Sequence, residues 1–496
     1  MALGLAAYAQ PEPIYYEVQA YGNGSTGDFA PTMLGSLNNG RYGQRGAALL
    51  EVGAMKRINK ARRFSWGFGA HFIAGYSSSV SYVRWDAAAK QWGESSWRPA
   101  AARVQQLYGE VKYRGVFLTV GMKQRGSALL NTRLSSGDLV ESGNARPIPE
   151  ARIGFIDFQD IPFTNGWVQI QGEISYGKMM DKGFLDAQFN RYYYHINKGS
   201  LYTYKRCYFR TKPSERFSGT IGMQVGGMFG GTTAFYRDGA HVRTETYSRG
   251  IKSFFKMFLP MGENGEDYYT GSTLGSWDLH LRYSLNNNDQ IIAYVQKPWE
   301  DGSGIGLRTR ADGVWGLEYK RLRGGYINGI VVEYVDFRDQ GGPIHWAPGD
   351  TPGTAIKDES TGRDDYYNNA TYNSYVNYGH AIGTPFMISP IYNRDGFPGF
   401  ACNRVNGFHL GVSGDAGKFD YRVLFSYRRG MGRYDYPYPK VRQGVAFMAE
   451  AGWNARAILP GLRARVQVGF DAGHLCGNNF GTSLAVNYTG KIFTGK

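Results

Sequence analysis

The sequence predicts an all-β fold, a transmembrane antiparallel barrel of about eighteen strands. Three observations predict it. First, stretches of about ten residues alternate apolar and polar side chains, the period of a strand with two unlike faces. Second, 69 Gly, 37 Tyr, 28 Phe and 10 Trp accompany only 42% hydrophobic residues in 496. A soluble chain of that length shows aliphatic helices or βαβ alternation, and neither is present. Third, no uncharged apolar run reaches the roughly 18 residues of a spanning helix. A barrel strand needs no such run, because it hides only half its side chains from water. A soluble β-sandwich shares the period, but packing so many strands around a core favours larger aliphatics over this many Gly and Tyr.

The clearest strand is Trp167 to Gly177. Val168, Ile170, Ile174 and Tyr176 form one face; Gln169, Gln171, Glu173 and Ser175 form the other. In chain order, the first residues end in Ala7-Tyr8-Ala9, an A-x-A cleavage pattern before Gln10, which predicts a cleaved signal peptide and export to a bacterial outer membrane. Residues 10–43 are rich in Pro, Gly and Asn and predict a short periplasmic cap or plug. The barrel is expected to occupy 44–496. Ala48, Leu50, Val52 and Ala54 share an outer face opposite Glu51. Trp66, Phe68, Ala70, Phe72, Ala74 and Tyr76 continue it, with Ser65, Gly67, Gly69 and His71 behind. Leu107, Val111 and Tyr113 pair across Arg114-Gly115 with Val116, Leu118, Val120 and Met122 as a hairpin. Trp277 to Tyr283, Trp315 to Tyr319, Tyr421 to Tyr427, Val466 to Ala472 and Leu484 to Tyr488 repeat the pattern. Two regions break it, about 129–163 and 339–403, and loops of that length are expected outside the cell.

The formal charge of +15 raises nucleic acid as a partner, but no helix-turn-helix, finger or RNP signature accompanies it. Anionic sugars, the acidic groups of surrounding lipopolysaccharide, or plain solvation of the surface account for it equally. Cys207, Cys402 and Cys476 form no framework. The eight His are dispersed, and no zinc, serine-hydrolase or phosphate-loop motif occurs, so neither metal nor cofactor nor catalysis is expected. Gly302 to Gly306 is only a Gly-rich turn.

The two irregular regions carry a resemblance. Ser142-Gly143-Asn144-Ala145-Arg146-Pro147-Ile148-Pro149-Glu150-Ala151-Arg152, then Asp364-Asp365-Tyr366-Tyr367-Asn368-Asn369, Tyr378-Gly379-His380 and Tyr427-Arg428-Arg429-Gly430-Met431-Gly432, are similar to the capsule assembly protein Wzi family in its Bacteroidetes-like form. The resemblance runs from about Pro31 to the C-terminus. It implies an outer-membrane barrel with a small helical element near the N-terminus closing the periplasmic end. It also implies a lectin-like role in holding capsular or exopolysaccharide; whether outer-membrane lipoproteins or other envelope proteins dock as further partners is left open by the sequence.

Sugar binding needs aromatic faces for pyranose rings and amides or charges for hydroxyls and acid groups. Tyr366, Tyr367, Asn368, Asn369 and Tyr372 supply both; the simpler alternative is a loop folded into the lumen, its Asn side chains capping backbone groups. Asn144, Arg146, Glu150 and Arg152, stiffened by Pro147 and Pro149, suit a buried network beside the wall. Arg428, Arg429 and Arg433, beside Tyr434 and Tyr436, are placed to meet an anionic polymer at the barrel mouth. Three functions compete. They are a non-catalytic polysaccharide binder, a porin-like channel for small polar or anionic solutes, and an outer-membrane enzyme. A closed lumen favours the first, an open lumen the second, a carboxylate pair in a cleft the third.

Overall fold

The computed structural model describes residues 12–257, 271–300, 302–342, 345–346, 360–361 and 364–493; the expected signal remnant at 1–9 lies outside them. Eighteen antiparallel strands form one closed wall. They are β1 Ile14–Phe29, β2 Gln44–Lys56, β3 Phe64–Ser77, β4 Ala102–Tyr113, β5 Val116–Met122, β6 Pro149–Phe155 (continued by Gln159–Asp160), β7 Val168–Lys178, β8 Leu201–Thr211, β9 Phe217–Phe229, β10 Gly271–Ser284, β11 Gln290–Trp299, β12 Gly313–Lys320, β13 Gly329–Asp336, β14 Val405–Ala416, β15 Phe419–Gly432, β16 Pro437–Asn454, β17 Leu462–Gly473 and β18 Asn479–Phe493. The wall closes where β1 pairs β18, from Ile14 opposite Phe493 to Ser25 opposite Gly481. Among the described residues the wall itself keeps no open edge strand to recruit another chain.

Strand direction sorts the connections. Those at 57–63, 114–115, 161–167, 212–216, 285–289, 321–328, 417–418 and 455–461 are all short and share one end with Ile14 and Phe493. The long ones, 78–101, 123–148, 179–200, 230–270 and 337–404, share the other with the shorter 30–43, 433–436 and 474–478. In outer-membrane barrels the short turns face the periplasm. The alternation sets the faces as the sequence requires. Leu50, Val52, Trp66, Phe72, Leu107, Val120, Val466 and Phe470 are exposed on the outside, while Glu51, His71, Glu110, Glu173, Gln467 and Asp471 are buried inside. Exposed Phe64, Tyr113, Trp167, Phe217, Tyr283, Phe419 and Trp453 ring the turn end, and Tyr76, Trp315, Phe408 and Phe480 stand at loop-end strand termini. Rings so placed keep one edge in lipid and one in water.

Two expected boundaries are corrected. Residues 14–29 are a wall strand, not part of a cap. Their Gly, Asn and Ser residues hide the apolar stripe of Tyr16, Val18 and Ala20, which pair with Ala54, Val52 and Leu50. Likewise 149–155, expected within a long loop, is wall strand β6. Its charges, Glu150 and Arg152, sit buried on the lumen face, while Ile153 faces out.

Three loop-end segments turn inward. Residues 30–43 carry the short helix α1, Thr32–Gly35, which packs on β16 and β17. The Thr32 amide and hydroxyl both donate to the Asp471 carboxylate, at 2.8 and 2.7 Å. Loop 123–148 descends furthest. Its Asn131 donates to Glu318 at 2.9 Å, the Leu134 carbonyl meets His409 Nε2 at 2.8 Å, and the Ser136 amide donates to Glu333 at 2.6 Å. Loop 364–404 rests on it, the Tyr367 hydroxyl donating to the Leu139 carbonyl at 2.6 Å and Thr384 to that of Ser136 at 2.8 Å. Leu134, Leu139, Val140, Tyr375, Ile382 and Phe386 then form one buried cluster with wall residues Tyr202, Met228, Tyr294, Val331 and Met448. An eighteen-stranded wall is too wide for its own side chains to fill. Here loops fill it.

Candidate functional site

The Tyr and Asn residues singled out for sugar stacking lie in this filling. Tyr366 is fully buried, its hydroxyl donating to Asp312 at 3.1 Å. Tyr367 lies against Phe400, and Asn368 clamps the backbone of Phe400 from both its amide atoms. Asn369 caps the Thr371 and Tyr372 amides at 2.9 Å each, and Tyr372 is buried against Tyr247. These residues close a loop; none presents a ring face to the exterior. Their pattern serves turn-capping as well as it serves sugar, and in this structure the Asn side chains cap backbone groups.

The three arginines are separated by the wall. Arg428 points into the lumen, buried, with Nη2 donating to Thr32 at 3.0 Å. Arg429, the next residue of β15, points the other way. Arg433 is held by Asp365 at 3.1 Å and lies over Phe397 and Tyr436. They do not form one anionic-polymer patch, because adjacent strand residues cannot share a face. Asn144 bridges the α1 segment to loop 364–404, accepting from the Leu37 amide at 3.0 Å and donating to the Ala381 carbonyl at 2.9 Å. Arg146 stacks over Tyr378 at 4.3 Å. Pro147 and Pro149 bracket the entry into β6, whose Glu150 pairs with Arg125 and whose Arg152 approaches Glu173 at 4.0 Å. Cys207, Cys402 and Cys476 are free thiols.

A different constellation stands at the loop end, on segments outside the lumen. Strands Val80–Asp86 and Gln91–Trp97 form a hairpin in which Trp85 directly opposes Trp92. Its turn is stabilised by Asp86, whose carboxylate caps the Ala88 and Ala89 amides at 2.9 and 3.1 Å. Tyr192 closes the cluster, its ring centroid 5.0 Å from both indoles, with Tyr193 4.7 Å beyond. The supports are rigid. The Trp85 amide donates to the Asn190 carbonyl at 2.8 Å, that of Val83 to Arg394 at 2.9 Å, and the Tyr82 hydroxyl to the Ile391 carbonyl at 2.8 Å. Beneath them Val80, Tyr82, Ile196 and helix α2, Lys182–Gln188, share a second buried cluster. Gly239, at φ +80°, lets the Trp85 indole lie against the backbone; a Cβ there would collide with the ring.

This packing leaves Trp92 and Tyr193 exposed (47 and 64%) beside a cleft of about 550 Å³. Arg84, Trp85, Glu94, Arg191, Tyr236 and His241 line it. Arg191 and Lys198 both pair with Asp186. Among the described residues no ion pair forms on Arg84, and desolvation first, then the neighbouring Arg191 charge, push its pKa down. The cleft joins the Trp85 and Tyr236 rings to the Arg84 and Arg191 guanidiniums and to the Asp86 and Glu94 carboxylates, the equipment for a ring bearing hydroxyls and a charged group. The sequence did carry a signal. Arg84-Trp85 and Trp92 at hairpin spacing, and the run Arg191-Tyr192-Tyr193-Tyr194, place aromatics and charge together outside the regular wall.

No family model and no curated protein matches the chain. Among solved structures it is similar to Wzi of Escherichia coli, described as a carbohydrate-binding β-barrel outer-membrane protein involved in group 1 capsule assembly. That likeness has a TM-score of 0.55 at 12% identity, over 95% of this chain and 83% of that one. It is also similar to OccAB2 of Acinetobacter baumannii, TM-score 0.48 at 9% identity over 97 and 98% of the two chains. OccK8 (OprE) of Pseudomonas aeruginosa gives 0.48 at 8% over the same shares. With the closed eighteen-strand wall, the first likeness shows that this chain has the fold of an outer-membrane β-barrel.

Proposed function

We propose that this protein is a non-catalytic outer-membrane barrel that binds surface polysaccharide and takes part in capsule or exopolysaccharide attachment. The carrying observation is the Trp85–Trp92–Tyr192 cluster. Its Trp85 ring lines a loop-end cleft together with Tyr236 and Arg84, with Trp92 exposed on the same hairpin, above a lumen occupied by protein. Rigid aromatics lose little entropy on binding, and a cleft of this volume takes a short run of sugar units. Arg84 adds a preference for acidic units. The described carbohydrate binding of the Wzi barrel supports the same reading at the level of fold.

The test is calorimetric titration of the purified barrel with the producing organism's own polysaccharide. Trp92→Ala is expected to weaken binding about tenfold by removing an exposed stacking face. Binding that is unchanged in Trp92→Ala and in Arg84→Gln sinks the assignment of this cleft. One observation favours the channel as second reading. An arginine-lined cavity opens inside the lumen at the turn end, and planar-bilayer conductance decides whether it leads anywhere.

A further inference from the structure

That cavity has features that the loop-end cleft does not explain. It encloses about 330 Å³ between the α1 segment and the lumen faces of β15 to β17. Arg422, Glu450 and Arg465 project into it close to the turn-end termini of their strands, and Arg133 reaches it from the tip of loop 123–148. The side chains of Arg133 and Arg465 are about half exposed (51 and 46%), so the mouth lies at the turn end. Among the described residues Glu450 is the one carboxylate lining the cavity, and three guanidiniums share it, from Arg422 at 2.8 Å, Arg133 at 3.2 Å and Arg465 at 3.6 Å. Asp420 beside them takes Arg463 at 2.7 Å and Arg133 at 3.7 Å. Four arginines therefore face two carboxylates. The other lining arginines are spoken for. Arg41 forks onto Glu51, and Arg428 is linked to Asp471 through Thr32.

Hydrogen-bond donors are in excess as well. Among the described residues, Arg422 Nε, Arg428 Nε and the Ser136 hydroxyl are buried without a partner, and all three residues line this one cavity. Ser136 and Arg428 are 6 and 3% exposed. A buried donor without an acceptor is costly, so three in one cavity mark a place shaped for an acceptor. An oxyanion supplies several acceptor lone pairs and the missing negative charge together, and guanidinium forks match its geometry.

We propose that the turn-end cavity is an anion-binding site for a phosphate or carboxylate group, held by Arg422, Arg465 and Arg133 and approached from the side of the short turns. It is separate from the loop-end cleft and stands without it. The group is either free or carried on a sugar acid, and two probes separate these sources. The full-length barrel in detergent at low salt is titrated calorimetrically with inorganic phosphate and with glucuronate. Saturable binding of phosphate alone identifies a free-anion site; tighter binding of glucuronate identifies a sugar-acid site. Either is expected to weaken at least tenfold in Arg465→Gln, which leaves Glu450 two arginine partners and the barrel folded, as heat-modifiable migration checks. Arg422→Gln is expected to weaken it further, and Arg456→Gln, on the exposed turn 455–461, to leave phosphate binding unchanged. The site is refuted if neither probe binds, if Arg465→Gln binds as the parent does, or if Arg456→Gln abolishes phosphate binding.

Discussion

Arg125 shows how much one luminal side chain holds. It is buried just beyond β5, pairs with Glu150, approaches Glu173 at 3.5 Å and Glu141 at 3.6 Å, and lies 4.6 Å from the Tyr204 ring. Burial opposes its charge, but Glu150 and Glu141 hold the guanidinium's pKa well above its ordinary value. Arg125→Met removes the cation from among three carboxylates. Leaving buried charge uncompensated costs about 3–5 kcal/mol, so the temperature at which the folded band converts on a heat-modifiability gel is expected to fall clearly. A variant melting with the parent contradicts this. Arg125→Lys, a single point donor, is expected to recover only part of the loss. At this scale the sequence was legible in one respect. Which face Glu173 and Ile174 take follows from period two alone. That Arg125 would meet Glu150 and Glu173 does not follow, because it depends on where a long loop lands. The same limit hid the fate of Tyr366 and Tyr367, whose chemistry suits a sugar and a core equally.

At the scale of elements, the inward loops carry ionisable groups whose environment their own sequence does not fix. His380, in loop 364–404, is buried, and desolvation holds its pKa near 4 against an ordinary 6.5. In the unfolded chain this imidazole takes up a proton near pH 6.5, whereas in the plug it does so only near 4. Its contribution to stability is therefore complete above pH 6.5 and is lost as pH falls toward 4. Asp181 beside the same loop, raised by burial to about 6, acts with the opposite sign. A difference measurement isolates the histidine. The gap in thermal unfolding midpoint between parent and His380→Gln is expected to narrow between pH 7.5 and 4.5, by the equivalent of about 2–3 kcal/mol. A constant gap shows that burial does not hold His380 neutral. Element boundaries were legible where apolar side chains were large, as in Phe64–Ser77. They were not where Gly and Asn dilute the stripe, as in Ile14–Phe29, or where a proline opens a strand, as at Pro149. The Trp85–Trp92 hairpin belongs to neither kind. It alternates like a wall strand, yet among the described residues its two strands form a ladder with each other and not with the wall, and pairing is a tertiary fact.

For the whole molecule the governing quantity is the width of the wall. Eighteen strands leave an aqueous channel unless something occupies it. In this chain the occupant is chiefly loop 123–148, which contributes Leu130, Leu134, Leu139 and Val140 to the central cluster and bonds to β12, β13 and β14 on the way down. Loop 364–404 packs upon it and not beneath it, through Tyr367 on Leu139 and Ser142 on the Ile382 and Gly383 carbonyls. That order makes the deeper loop the keystone. In planar bilayers the parent is expected to be silent. Replacing 128–143 with a short Gly-Ser linker is expected to give steady conductance steps, because it strips the support from loop 364–404 while β5 and β6 keep their own pairing through seven registered residues, Val116–Phe155 to Met122–Pro149. Steady steps from the parent would mean that the plug moves aside, and the channel becomes the leading reading. Silence from a folded variant would mean that loop 364–404 seals the barrel unaided. If the parent is silent and the variant conducts, the barrel is a scaffold stoppered by its own loops, and the binding test on the proposed loop-end cleft is the one that follows.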